Sequence, residues 1–118
     1  MSSNKPIVIL NYKTYLESSG EKALLLAKDL ESVYDETGIP MIASPQAIDI
    51  SKIKDETSIP VYAQHIDPIT PGGNTGSNLL ESFIANGIDG TLLNHSEKRM
   101  KLADIESVVS QAKKANII

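Results

Sequence analysis

The sequence predicts an α/β fold in which helices cover a parallel sheet of four strands. Short apolar runs alternate four times along the chain with segments whose apolar residues recur at helical spacing. This alternation is typical of parallel sheets with right-handed crossovers. In addition, each strand after the first is preceded by a similar corner, at residues 38–40, 58–60 and 87–89. The chain is therefore predicted to consist of repeated strand–helix units.

The first unit begins with a β-branched apolar run at residues 7–10, which predicts strand one. Ser18 and Glu21 have the spacing of a capping box, so we expect a long helix to begin there. The helix should end at Gly38, because glycine accepts the left-handed conformation and Pro40 cannot continue a helix.

The second and third units follow the same order but are shorter. Residues 41–43 predict strand two, residues 47–53 a weaker helix, and residues 61–64 strand three. A loop rich in proline and glycine follows at residues 65–76. Loops of this length inside a compact domain are usually functional, so we expect this one to serve the site or an interface.

The fourth unit begins with a helix that Asn78 and Glu81 are expected to cap and that stops at Gly87. Residues 91–93 predict strand four, and residues 104–115 predict the last helix. A dense cluster of polar residues, at positions 94–99, follows directly after this strand.

The final residues, 115–118, repeat the beginning of the corner, so we expect a fifth strand to follow. The length of 118 residues suits one compact core. The expected organisation is a single domain over residues 1–118 that is truncated before the fifth strand.

Composition excludes several classes of function. The net charge of −4 disfavours a nucleic-acid surface, and the basic cluster at Lys98, Arg99 and Lys101 is too short to form a stripe. There is no cysteine for a disulfide framework. There is also no long apolar segment and no signal-peptide pattern at residues 1–6, so we expect a cytoplasmic protein without membrane or nucleic-acid partners.

Polar side chains just after the four strands are expected to face one crevice, because the carboxyl ends of parallel strands meet at one edge. They are Asn11, Lys13, Ser44, Gln64, His65, Asn94, His95 and Glu97. Lys13 could equally be an ordinary surface lysine, and His95 a capping or core histidine. As a catalytic group, His95 is favoured because imidazole titrates near neutrality, and a following helix N-terminus would keep it neutral. Glu97 could pair with Lys13 or stabilise that helix N-terminus.

Two other kinds of site are disfavoured. The loop at residues 71–77 is rich in glycine but lacks the lysine and the spacing of a nucleotide-binding loop. His65 and His95 are the only histidines and have no paired spacing, so no metal site is predicted. His65 is expected to be a loop or supporting residue.

Four short motifs, taken in their order along the chain, resemble those of the triosephosphate isomerase family, and within it the short archaeal type. They lie at residues 11–13, 63–68, 71–76 and 94–99. The resemblance implies the N-terminal half of a TIM (β/α)8 barrel, comprising its first four β/α units. It also implies a parent enzyme of glycolysis and gluconeogenesis that interconverts dihydroxyacetone phosphate and glyceraldehyde 3-phosphate through an enediolate, without a cofactor.

By position, the resemblance implies that Asn11 and Lys13 contact the substrate, with Lys13 supplying positive potential. His95 would polarise the substrate carbonyl as a neutral imidazole, which is the role of a histidine in this isomerase family. Glu97 would be the third catalytic residue beside Lys13 and His95. Support or interface roles are expected for Ser96, Gln64 and Thr75, the last on a loop that in the family enters the neighbouring subunit.

A complete barrel needs about 250 residues. The family's glutamate base, closing lid and glycine-rich phosphate loops lie in units five to eight, so the isolated chain is expected to be nearly inactive. The C-terminal half of the barrel is then an expected partner, and triose phosphate the substrate of the complete enzyme. The open edges of strands one and four also predict a homo-oligomer, including closure of two halves into one barrel. The alternatives are a self-assembling scaffold whose catalytic residues are passengers, and an unrelated phosphate-binding half-barrel.

Overall fold

The computed structural model describes residues 5–118. Residues 1–4, which begin the segment without a signal-peptide pattern, lie outside the described residues. In chain order the elements are β1 (Val8–Asn11), a 3₁₀ helix (Leu16–Ser18), α1 (Glu21–Thr37), β2 (Met41–Ser44), a second 3₁₀ helix (Ala47–Asp49), α2 (Ile50–Glu56), β3 (Tyr62–Ala63), α3 (Leu80–Ala85), β4 (Gly90–Thr91) and α4 (Leu102–Lys114). The predicted α/β order of four strand–helix units is confirmed.

All strand pairs are parallel and follow the order of the chain. β1 pairs with β2 in the register Val8↔Met41, and β3 pairs with β4 in the register Tyr62↔Gly90. A single bridge, Ala43↔Val61, joins the two pairs. Because sequential strands lie side by side, their carboxyl ends meet at one edge as the sequence predicted.

The core lies between this sheet and the helices packed on its outer side. All four residues of β2 are buried, as expected for a strand covered on both faces. The largest fully buried apolar side chains are Ile50, Ile53, Ile59, Val61, Ile66 and Val108. Ala23 and Ala27 of α1 have no exposed surface, because small side chains let the helix approach the sheet closely.

β1 is the exception, because Val8 and Ile9 in the strand and Ile7 just before it are exposed, while Leu10 is partly buried against the core. Ile7, Val8 and Ile9 are 64%, 39% and 43% exposed. Val8 N donates to the carbonyl of Pro40 at 3.0 Å, and alternate residues of β1 turn their backbone groups to the opposite, open edge.

Two of the three predicted corners begin with a left-handed glycine at a helix end, whereas the corner at residues 58–60 follows Thr57, which is extended. Gly38 has φ 71° and donates its N–H to the carbonyl of Tyr34 at 2.7 Å, while Gly87 has φ 93°. Asn116 repeats the geometry with φ 58°, and Ile118 O then accepts from Thr91 N at 2.9 Å. The residues after α4 thus lie beside β4.

The capping box predicted for α1 is wrong. Ser18 is buried in the 3₁₀ helix and its hydroxyl donates to the carbonyl of Tyr12 at 2.8 Å. Glu21 pairs with Lys52 at 2.8 Å instead of turning back to the helix end. The helix begins after Gly20, whose N–H donates to Asp49 Oδ2 at 3.1 Å, so a distant carboxylate occupies the place of a local cap.

The cap predicted for α3 is also wrong. The residue directly before α3 is Leu79, so Asn78 lies one position too early to cap the helix. The side-chain amide of Asn78 donates instead to the carbonyl of His65 at 2.8 Å. In the described part of the chain, no helix combines the length and apolar character that a membrane span requires.

Candidate active site

An open cleft of about 610 Å³ lies at the carboxyl ends of the strands. It gathers residues from the tips of β1, β3 and β4 and from the long loop. Its lining residues are Asn11, Lys13, Thr14, Tyr15, Ala47, Gln64, His65, Asp67, Gly76, Asn78, Phe83, His95, Glu97 and Lys98. The convergence that the sequence predicted for Asn11, Lys13, Gln64, His65, His95 and Glu97 therefore occurs in the folded chain.

The tip of β1 carries Lys13 in an unusual backbone conformation. Lys13 has φ 53°, in the left-handed region that non-glycine residues seldom adopt. Its N–H donates to Asn11 Oδ1 at 2.9 Å, so the side chain of Asn11 stabilises the turn directly after the strand. The strand end thus presents the amide of Asn11 and the ammonium of Lys13 to the same cleft.

Lys13 and Glu97 form an ion pair across the cleft. Lys13 Nζ lies 3.1 Å from Glu97 Oε2, with the two side chains 38% and 59% exposed. The hydrogen bond that Lys13 donates to Glu97, reinforced by the negative charge of that carboxylate, raises the pKa of Lys13 above the ordinary 10.5. Of the two interpretations of Glu97, the structure favours the pairing with Lys13, because α4 does not begin until Leu102.

His95 receives a hydrogen bond that identifies its tautomer. Glu97 N donates to His95 Nδ1 at 3.0 Å, so Nδ1 carries a lone pair and the proton of the neutral ring is assigned to Nε2. The expectation that a helix N-terminus would follow directly is wrong, because the donor is one N–H of a turn.

The segment that carries His95 is held by its neighbour. Asn94 has φ 55°, and its Oδ1 accepts from Met100 N at 2.9 Å. His95 O accepts from Lys98 N at 2.7 Å within the same turn. These contacts order residues 94–100 without any helix.

Gln64 connects the tips of three strands. Its Nε2 donates to the carbonyl of Lys13 at 2.9 Å and to that of Ser44 at 3.1 Å. Ser44, a further tip candidate, is fully buried and does not line the cleft. Its contribution is the carbonyl, which also accepts from Tyr12 N at 3.0 Å.

The long loop is closed by a network that the sequence analysis missed. His65 Nε2 lies 2.8 Å from Asp67 Oδ1, and Asp67 Oδ2 accepts from Asn78 N at 2.7 Å. Partial burial acts to raise the pKa of Asp67, but the N–H of Asn78 and the side chain of His65 lower it overall. The sequence analysis expected His65 to be a loop or supporting residue, but the loop has no regular spacing that would identify Asp67 and Asn78 as its partners.

Two predicted support residues lie outside the cleft lining. Ser96 is exposed in the turn after His95, and Thr75 is exposed on the long loop. Their support and interface roles stay predictions. Among residues 5–118, no group of three or more histidine, cysteine or acidic side chains is arranged to hold a metal ion.

Known proteins resemble this chain over nearly its whole length. The family model for triosephosphate isomerase matches residues 6–118. The triosephosphate isomerase of Methanobrevibacter smithii is 64% identical over 97% of this chain and 51% of its own length. That of Methanothermus fervidus is 52% identical over 98% of this chain and 52% of its own length.

A third relative, the triosephosphate isomerase of Methanothermobacter thermautotrophicus, is 55% identical over 96% of this chain and 49% of its own length. The chain therefore spans about half the length of the curated relatives it matches. The match nevertheless extends over nearly the whole chain, including every strand tip described above. The chain belongs to the triosephosphate isomerase family.

Proposed function

We propose that this chain supplies the polarising half of a triosephosphate isomerase active site. In this role it acts on dihydroxyacetone phosphate and glyceraldehyde 3-phosphate, which interconvert by proton transfer through an enediolate. The observation that carries the proposal is the arrangement of Lys13, Glu97 and His95 in one cleft, with the N–H of Glu97 donating to His95 Nδ1. Membership of the family supports the choice of substrate.

Each of these residues has a chemical role in the proposal. The ammonium of Lys13 attracts the phosphate dianion and stabilises negative charge on the enediolate. His95 Nε2–H donates to the substrate carbonyl, because a neutral imidazole stays a donor while the other nitrogen accepts from the backbone. Asn11 contributes its amide to the same wall of the cleft. Glu97 holds the ammonium of Lys13 in place.

The proton-abstracting glutamate and the phosphate-binding loops are expected from the second half of the family's barrel. A positioned general base contributes about 10²–10⁴ in rate. The 118-residue chain alone is therefore expected to show almost no turnover. No cofactor is required by this chemistry, and the partner is a polypeptide that supplies the remaining β/α units.

The experiment uses a chimera in which this chain replaces the matching segment of the Methanobrevibacter smithii isomerase, to which it is 64% identical. Isomerisation of glyceraldehyde 3-phosphate is measured for the chimera and for the chain alone. Lys13→Ala and His95→Ala are each expected to lower kcat/KM of the chimera at least about 100-fold. The matched control is Lys101→Ala, which removes an exposed lysine outside the cleft and should change kcat/KM less than twofold.

A folded chimera without turnover, or one indifferent to Lys13→Ala, would reject the proposed role. Substantial turnover by the chain alone would reject the requirement for a second half.

A second candidate function, self-assembly, is favoured by the open edge of β1. Ile7, Val8 and Ile9 are exposed along it, and strand edges with apolar side chains promote pairing with another chain. We propose that copies of the chain associate through this edge into a homo-oligomer. Sedimentation should give a species larger than 12.7 kDa, and Ile9→Lys should dissociate it.

The matched control for self-assembly is Leu102→Lys, since Leu102 is 85% exposed at the start of α4, away from this edge. A monodisperse monomer at all concentrations would exclude the assembly. A stable oligomer in a chain whose chimera is inactive would favour the scaffold over the enzyme.

A further inference from the structure

Gln64 occupies a position where three strand tips meet. It follows β3 directly, and its amide nitrogen bonds to the carbonyls of Lys13 and Ser44, at the ends of β1 and β2. Backbone pairing between β2 and β3 is limited to one bridge. A side-chain amide therefore connects these strands at the edge where the cleft opens.

The contact with Lys13 acts on a backbone that needs support. A left-handed φ of 53° is unfavourable for lysine, so the peptide groups on both sides of its Cα must be held. Asn11 Oδ1 accepts from the N–H of Lys13 at 2.9 Å, and Gln64 donates to its carbonyl at 2.9 Å. Two amide side chains thus hold residue 13 from both sides.

The backbone direction at residue 13 decides where a long, flexible side chain ends. Lys13 is 38% exposed, and its only side-chain partner in the described part of the chain is Glu97 at 3.1 Å. A lysine stem has many rotamers, so the ion pair alone restricts the ammonium weakly at this exposure. Fixing the Cα–Cβ direction restricts it further.

We propose that Gln64 is a positioning residue that acts through Lys13, holding its left-handed backbone so that the ammonium stays beside Glu97 in the cleft. The consequence for turnover rests on the proposed function of Lys13. The consequence for the position of the ammonium does not, and it is measurable on the chain alone.

The variant is Gln64→Met, which keeps an unbranched side chain of similar length and removes the amide donor. The matched control is Gln46→Met, which removes an amide that donates to Ser19 Oγ at 2.8 Å, outside the cleft. Circular dichroism and thermal melting establish that each variant is folded. Gln64→Leu serves as a second apolar variant.

The first measurement is the rate at which each lysine is acylated by an N-hydroxysuccinimide ester, followed by mass spectrometry at pH 8. Only the deprotonated amine reacts, so a lysine that leaves its carboxylate partner reacts faster. Acylation of Lys13 is expected to rise about three- to tenfold in Gln64→Met. Lys54, paired with Asp89 at 2.9 Å, is the internal reference and should not change.

The second measurement is turnover by the chimera described above. Gln64→Met is expected to lower kcat about ten- to 100-fold with a smaller change in KM, since small misplacements of a catalytic group carry losses of that order. The same substitution should have almost no further effect in the Lys13→Ala background.

The outcomes separate the inference from the proposed function. An inactive chimera with faster acylation of Lys13 keeps the inference and rejects the function. Unchanged acylation of Lys13, or an equal rise at Lys54, overturns the inference. Failure of both Gln64→Met and Gln64→Leu to fold also overturns it, because Gln64 would then serve the whole fold.

Discussion

Replacing Asn94 with alanine should destabilise the chain by about 2 kcal/mol. The substitution removes the hydrogen bond from Met100 N at 2.9 Å, which contributes about 1 kcal/mol. It also places alanine at φ 55°, a conformation that asparagine tolerates and that costs alanine about 1 kcal/mol more. For 118 residues the unfolding entropy near Tm is about 250 cal/mol/K, so Tm should fall by about 8 °C.

The second asparagine with a left-handed backbone provides the control. Asn116 has φ 58°, and among residues 5–118 its side chain has no hydrogen-bond partner, so Asn116→Ala should lower Tm by only about 4 °C. Asn94→Asp keeps an acceptor oxygen and should stay within about 0.5 kcal/mol of the parent. Thermal melts at neutral pH measure all three.

The reasoning would be refuted by either of two results. Equal losses for Asn94→Ala and Asn116→Ala would mean that the bond to Met100 contributes nothing. A loss in Asn94→Asp as large as in Asn94→Ala would mean that the acceptor oxygen is not the stabilising group.

Three further substitutions test contacts in the core and at a corner. Asp89→Ala should cost about 2 kcal/mol in urea unfolding, because it leaves the N–H of fully buried Val61 without its 2.9 Å acceptor. Lys54→Met, which removes only the partly exposed ion pair with Asp89, should cost less than about 1 kcal/mol, and equal losses would contradict this. Tyr12→Phe should cost about 1 kcal/mol by removing the bond to the carbonyl of Ala23 at 3.1 Å. Burial raises the pKa of the Tyr12 hydroxyl in the folded chain. The stabilisation from this hydroxyl is therefore complete below pH 10.0, the ordinary tyrosine pKa, and declines as pH rises further. The Tyr12→Phe variant should lose less stability than the parent above pH 10, and parallel pH profiles of the two proteins would contradict this.

The fold could be predicted because its signals are local and periodic. Apolar runs at residues 7–10 and 41–43 indicate strands, and the corner at 38–40 indicates where a helix must end. These signals also predict that the carboxyl ends of the strands meet, which places Lys13 and His95 in one cleft. The topology of parallel units leaves few other arrangements.

The helix caps could not be predicted because their partners are distant in sequence. The local rule assigned Ser18 and Glu21 to each other, but the N–H of Gly20 bonds to Asp49, 29 residues away. Ser18 instead supports the turn after β1. A capping motif indicates which hydrogen bonds neighbouring residues could form at a helix end. Tertiary packing decides which of these hydrogen bonds form.

Part of the set of residues that line the cleft could be predicted, whereas the contacts that hold these residues could not. For His95, the sequence favoured a helix N-terminus as the source of a neighbouring N–H donor. The structure supplies the donor from Glu97, because the chain does not become helical before Leu102. The network of His65, Asp67 and Asn78 depends on loop geometry that no spacing rule describes.

The contacts that orient the two polarising groups all lie within this chain. Lys13 is held by Asn11, Gln64 and Glu97, and the ring of His95 by the N–H of Glu97. None of these contacts requires the base or the phosphate loops of a second half. Because electrostatic catalysis depends on groups fixed before the substrate arrives, this half of the proposed site is already organised. Under the proposed function, a partner half would therefore supply the proton acceptor and enclosure, and would not have to build the electrophilic side of the cleft.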